Sequence, residues 1–160
     1  VTMIVILNQI EADLVKTVGQ ERHNQNQKNG TSSSAQSKVQ NDINGFGAEL
    51  AVAKILNCWP DLSIGPHRRG FDLTYTYKQQ KIRIDVKSTK MNPGYLMAKP
   101  WRKVEDCDVY VHVSGTNPRY VIHGWAWAKE LISPVNLSDM GFGESYHMEP
   151  SQLREFNLHA

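Results

Sequence analysis

Apolar and polar side chains alternate with a period of two in neighbouring stretches of the chain. Leu73, Tyr75 and Tyr77 alternate with Asp72, Thr74 and Thr76, and Ile82, Ile84 and Val86 alternate with Arg83, Asp85 and Lys87. Successive side chains of a strand point to opposite faces, so this spacing predicts a two-stranded hairpin within residues 70–90, turned by the polar run at 78–81. Asp85 and Lys87 then project together from the face opposite Ile82, Ile84 and Val86, and the hairpin folds Asp72 back beside them. Residues 108–113 and 120–123 predict two further strands, with a Gly-Thr-Asn-Pro turn between them. A short strand at 95–97 follows the Met-Asn-Pro-Gly turn.

Helical spacing appears in three places. Ile6 or Leu7, Ile10, Leu14 and Val18 recur at intervals of three to four, which predicts an amphipathic packing helix over 6–18. Residues 46–56 are apolar on nearly every side except at Glu49 and Lys54, which predicts a largely buried helix with Asp42 or Asn44 as its cap. Glu49 falls in line with Val52, Ala53 and Leu56, where an unpaired carboxylate is costly. It therefore needs a partner such as Lys54 or a backbone amide, or a functional site. Residues 124–131 predict a third helix, stopped by Pro134, with Trp125 and Trp127 in the core.

The remaining stretches are polar or broken. Residues 20–40, rich in Asn, Gln and Ser, predict a fraying helix end and a mobile loop, along which Arg22, His23, Lys28 and Lys38 lie. The Pro- and Gly-rich stretch at 59–70 predicts another loop. His112 and His123, on strands, are expected to be hydrogen-bonded core residues.

Composition narrows the class. With 160 residues, 40% hydrophobic and 21% charged, the chain is expected to form one domain over 1–160. No apolar run approaches a membrane span, and neither a signal peptide nor an anchor is expected at the start. Cys58 and Cys107 are the only cysteines and stand apart, which argues against a disulfide framework or structural zinc and fits an intracellular compartment.

Charge changes the picture more. The net charge of +2 conceals a segment, residues 68–103, with ten basic and two acidic side chains. Those two acids are Asp72 and Asp85, on the predicted hairpin. A positive surface around a carboxylate pair suits a polyanion, because phosphate neutralisation supplies most non-specific affinity for nucleic acid. Arg68, Arg69, Arg83, Lys90, Lys99, Arg102 and Lys103 are the candidate DNA backbone contacts. Trp101 among them is either a stacking residue or core.

Two ionised carboxylates approach one another only when a cation sits between them or one takes a proton. Asp72, Asp85, the Val86 carbonyl and waters make a reasonable Mg²⁺ site, with Mn²⁺ as a substitute. Lys87 alongside can orient a water or stabilise charge on a phosphate. That is equipment for metal-assisted phosphodiester hydrolysis.

Asp72, twelve intervening residues, then Asp85-Val86-Lys87 resembles the PD-(D/E)xK nuclease superfamily, with Phe71 where Pro often precedes the first acid. The Gly-x-Gly-Ala-Glu run ending in Glu49, the Lys-Ser-Thr run after Asp85-Val86 and the Gly-Trp that opens 124–131 resemble the same group. The resemblance covers roughly residues 45–131. It implies an α/β fold with a restriction-endonuclease-like αβββαβ core, a mixed sheet flanked by helices. It also implies catalytic Glu49, Asp72, Asp85 and Lys87, with Glu49 joining the metal ligands, and DNA cleavage by a homodimer or larger assembly. Between Met97 and Asp108 the chain lacks the family's crossover helix, which leaves strand order open. The rival expectations are a site-specific restriction or homing endonuclease of this fold, and a non-catalytic nucleic-acid-binding module.

Overall fold

A computed structural model describes residues 2–28, 36–64 and 70–157. The chain is mixed α/β: two long helices lie on one face of a five-stranded mixed sheet, and a small three-stranded sheet packs against the other. In chain order the elements are β1 (Met3–Ile6), α1 (Gln9–Lys28), α2 (Gln36–Leu56), β2 (Leu73–Tyr77), β3 (Gln80–Thr89), β4 (Leu96–Ala98), β5 (Val109–Thr116), β6 (Arg119–Trp127), α3 (Ala128–Leu131), β7 (Leu137–Asp139) and β8 (Glu144–Met148). The main sheet runs β1-β6-β5-β3-β2, antiparallel except for the parallel β3–β5 pair. The small sheet runs β4-β8-β7. Among the described residues no helix is long and apolar enough to cross a membrane.

The predicted hairpin is present in register. Leu73 pairs with Ile84 and Tyr75 with Ile82. Lys78 and Gln79 both take left-handed φ angles of 47° and 67°, the conformation of a two-residue hairpin turn whose twist matches its strands. Leu73, Ile84, Val86, Val109, Val111 and Val113 face the helices, where Phe46, Ala48, Ala51 and Val52 complete the core. Tyr110 and Ala126 face the other way, onto Leu96, Leu131 and Met148. Alternation at period two thus divides each central strand between two cores.

Several expectations are corrected. The helix expected over 6–18 begins at Gln9, because Asn8 Oδ1 accepts the Glu11 N–H at 2.8 Å while the Glu11 carboxylate accepts the Asn8 N–H at 2.9 Å. The residues before it form β1, an edge strand whose four residues are too few to show a period. The mobile loop expected over 20–40 is helical at 20–28 and 36–40, and its centre, 29–35, lies outside the described residues. Those polar residues are held by the pairing of α1 with α2: Gly19 packs so closely on Ile43 that a Cβ would stand 2.5 Å from its Cα, and His23 binds Asp42 at 3.1 Å. Asp42 and Asn44 consequently lie inside α2 rather than capping it.

On the far side, the helix expected over 124–131 shrinks to α3. Residues 124–127 continue β6, where Trp125 and Trp127 pair with Val111 and Val109 and sit half-buried, edge to face, 5.1 Å apart. The strand expected at 95–97 forms as β4, but in the small sheet. Gly47 marks where α2 meets the sheet most closely, since a Cβ there would lie 1.7 Å from the Tyr120 hydroxyl. This contact fixes α2 over β6 and sets the position of Glu49, two residues on.

Candidate active site

Three elements bring the acidic residues to one end of the β2–β3 hairpin. Asp72 enters β2 and hands its backbone N–H to the Ile84 carbonyl at 2.8 Å, which places it beside Asp85. Its carboxylate turns inward, and Oδ2 accepts the Val86 N–H at 2.7 Å. Asp85 is 4% exposed and lies opposite Tyr110 on β5. Glu49 comes from the buried face of α2 and is 8% exposed.

Electrostatics tie the three together. The Asp72 carboxyl is held well above the usual range, first by burial and then by the negative charges of Glu49 and Asp85, with the Val86 N–H and Lys87 pulling the other way. Asp85 is answered by two cations. Lys87 Nζ stands 2.8 Å from Oδ1, and Arg102 donates to Oδ2 at 2.7 Å. Lys87 is thus the charge partner of Oδ1, and Arg102 that of Oδ2. Glu49 has an ion pair with Arg22 at 3.1 Å.

Arg22 and Arg102 both meet the acids from places the sequence does not lead one to expect. Arg22, expected in a mobile loop, is 3% exposed on α1, where it also donates to the carbonyls of Asp61 and Ser63 and lies 4.8 Å from the centre of the Phe46 ring. The signal that could have found it is the apolar spacing Val15, Val18, Arg22, which continues the buried face of α1 by one turn. Arg102, expected to grip a DNA backbone, is spent inside the protein. Besides Asp85 it donates to the Gly70 carbonyl at 2.5 Å and the Tyr110 hydroxyl at 3.0 Å. A guanidinium offers five donors in a rigid fork, which suits it to fasten three groups at once.

The other expected contacts divide. Arg83 is engaged by Asp108 through Nε at 3.2 Å and through an NH2 group at 3.1 Å, so it is not free to hold a phosphate. Lys90, Lys99 and Lys103 are exposed, and Lys87 is half-exposed. Arg68 and Arg69 lie outside the described residues. Trp101 is exposed rather than core. His112 and His123 are paired as expected, His112 with the Pro93 and Gly94 carbonyls and His123 with the Ser114 hydroxyl at 2.6 Å.

No family model, curated protein or solved structure matches this chain. The site therefore rests on its own geometry.

Among the described residues no three His, Cys, Asp or Glu side chains stand gathered at metal-ligand spacing. Each acid is turned to a partner within the protein: Glu49 to Arg22, Asp72 to the Val86 N–H and Asp85 to Lys87 and Arg102. The donor set nevertheless fits a hard divalent cation. It is all oxygen, and its repulsion is concentrated on Asp72.

Proposed function

We propose that this chain is a Mg²⁺-dependent DNA endonuclease of the PD-(D/E)xK type. The observation that carries the reading is the electrostatic cost at Asp72, whose buried carboxyl feels the negative charges of both Glu49 and Asp85, with the Lys87 ammonium paired to Asp85 alongside. Carboxylates forced together in a cationic neighbourhood serve a divalent ion and a phosphate better than they serve the fold.

Asp72, Asp85, Glu49 and the Val86 carbonyl would hold the ion, with Mn²⁺ able to replace Mg²⁺. Bound there, the ion polarises a phosphoryl oxygen and lowers the pKa of a water. The chain's own groups do the rest. Lys87, half-exposed and fastened to Asp85, is positioned to orient the attacking water, take part in its deprotonation and offset charge building on the phosphate. Arg22 holds Glu49 in place from behind, and Lys90, Lys99 and Lys103 offer exposed ammonium groups to the DNA backbone.

In the finer fold reading, α2, the β2–β3 hairpin and the parallel strand β5 make a restriction-endonuclease-like core. The crossover helix is reduced to the single 3-10 turn at Val104–Asp106. Cleaving both strands calls for a homodimer or larger assembly, and two separate free cysteines suit an intracellular setting.

One observation favours a second reading. Arg102 and Lys87 together neutralise Asp85, as they would in a non-catalytic nucleic-acid-binding module. Incubating the protein with Mg²⁺ and duplex, single-stranded and four-way-junction DNA separates the readings. Cleavage of any of the three that disappears in Asp85→Ala and Lys87→Ala supports the enzyme. Binding without cleavage supports the module. Cleavage confined to one duplex sequence supports a restriction or homing enzyme over a junction or general nuclease.

A further inference from the structure

The feature of the molecule that this reading leaves unused is Trp101. The residue is 70% exposed, although an indole ring is among the largest apolar surfaces a chain can bury. Scattered exposed aromatics are ordinary, and Trp59 and Phe142 are others here. Trp101 differs in how it is held. Its neighbour Arg102 is fastened to Asp85, Gly70 and Tyr110, and the Arg102 N–H donates to the Lys99 carbonyl at 3.1 Å. The Lys103 N–H donates to Asp106 Oδ2 at 2.9 Å, and the Asp106 N–H returns to the Lys103 carbonyl at 3.1 Å. Two successive turns thus present the ring one residue away from a side chain that touches the central carboxylate.

Its surroundings carry charge of one useful sign. Lys99 Nζ lies 5.9 Å from the centre of the Trp101 ring, and Lys103 is exposed on its other side in the chain. Of the acids in the same segment, Asp106 is turned inward to cap the Lys103 N–H and pair with Arg102, which leaves Glu105 as the exposed one. A solvent-facing ring on a tied backbone, flanked by ammonium groups, is a platform for a flat π-system linked to phosphates. Base stacking on aromatics together with backbone contacts is how unpaired nucleic acid is held. A paired base inside a duplex offers no free face to such a ring.

We infer that Trp101 is a stacking platform for an unpaired nucleobase next to the cleavage position, so that the substrate class is DNA with a single-stranded or unstacked nucleotide at the site. This rests on the nuclease reading and names its substrate. Lys99 and Lys103 contact the phosphates on either side of the stacked base, and Trp101 acts as a specificity residue.

The test measures binding of a fluorescent oligothymidylate, the same oligonucleotide with abasic positions, and a blunt duplex, all in EDTA so that nothing is cut. Trp101→Ala is expected to weaken oligothymidylate binding by roughly tenfold or more, Trp101→Phe to restore most of it, and neither to alter binding of the abasic strand. The ring is exposed and its removal leaves the Arg102 bonds in place, so both variants should fold as the wild type does. Equal affinity of wild type and Trp101→Ala for oligothymidylate, with Mg²⁺-dependent cleavage intact, overturns this inference and leaves the nuclease reading standing. Equal loss on the abasic strand also overturns it, and so does altered self-association in sedimentation with unchanged DNA affinity, which assigns the ring to a protein contact. Absence of both binding and cleavage in the wild type overturns the two together.

Discussion

Asp72 and Asp108 flank the same strand in nearly the same way, and their fates differ. Each precedes a neighbour of β3, and each uses a carboxylate oxygen to accept a β3 N–H: Asp72 from Val86 at 2.7 Å, Asp108 from Arg83 at 2.8 Å. Asp108 also receives the Arg83 guanidinium, which holds its carboxyl below the usual range. Asp72 receives no such fork. Burial and the charges of Glu49 and Asp85 push its carboxyl the other way. The fold can settle an aspartate beside β3 with an arginine, and does so at one edge of the strand. At the other edge it leaves a carboxylate in the company of two more acids. A stability role explains Asp108. Asp72 has no such explanation in the fold, and the proposed cation would supply one.

The largest expected effect separates them by activity. Asp85→Ala and Lys87→Ala should lower cleavage on the order of a hundredfold or more, as loss of a positioned proton-transfer or charge-stabilising group does. Asp108→Asn should leave the rate within about twofold, since partly exposed substitutions away from a site change little. Initial rates on the best of the three DNA substrates measure both. Comparable loss in all three variants would make the distinction between the two edges meaningless.

Next in size is the response to metal. A ligand that binds only the native state stabilises by about 2.7 kcal/mol at a hundred times its Kd, which for a domain of this size raises Tm by roughly 5–10 °C. Thermal melts with Mg²⁺ should show such a rise in the wild type and in Asp108→Asn, and lose it in Asp85→Asn. An unchanged Tm across millimolar Mg²⁺ or Mn²⁺ would count against a site poised for a cation.

The division between what could be read from the residues and what could not follows the length of the interactions. The hairpin was legible because alternation is local and survives folding, and Glu49 stood out because a lone acid in an apolar helix has few explanations. Arginine partnerships were not legible. Arg22 meets Glu49 across 27 residues, Arg102 meets Asp85 across 17, and Arg83 meets Asp108 across 25. A basic residue has the same appearance in a sequence whether it faces solvent or is spent on an internal carboxylate. The second half of α1 is hard to read for a related reason: Gln and Asn look like loop residues in a sequence, whereas side-chain pairs four residues apart, Gln20 with Asn24 and His23 with Gln27, hold them along a helix packed on α2.

A smaller effect appears in the pH dependence of the metal-free protein. The folded-state pKa of Asp72 lies above the ordinary 3.8, so its contribution is fully present below that value and is lost as pH rises through the raised pKa. Asp108 runs oppositely: its contribution is present above 3.8 and is lost as pH falls through its depressed pKa. In EDTA, Asp72→Asn should therefore melt above the wild type near neutral pH, and the advantage should shrink toward about pH 4. Asp108→Asn should melt at or below the wild type near neutrality, and the deficit should fade on acidification. Parallel curves for the two variants would erase the asymmetry between the two edges.

The smallest effect belongs to the Arg83–Asp108 pair itself. Its side chains are 37% and 38% exposed, so solvent and salt screen the attraction even though the guanidinium meets both carboxylate oxygens. A double-mutant cycle with Arg83→Ala and Asp108→Ala should give a coupling below about 1 kcal/mol, shrinking further at high salt. The same cycle between Arg102 and Asp85 should give several times more, because Asp85 is 4% exposed and its loss of Arg102 leaves a buried charge with Lys87 alone. Similar couplings for the two pairs would mean that Asp85 is as well solvated as Asp108. The cost of holding carboxylates together at Asp72 would then have no buried origin, and with it would go the reason to seek a cation there.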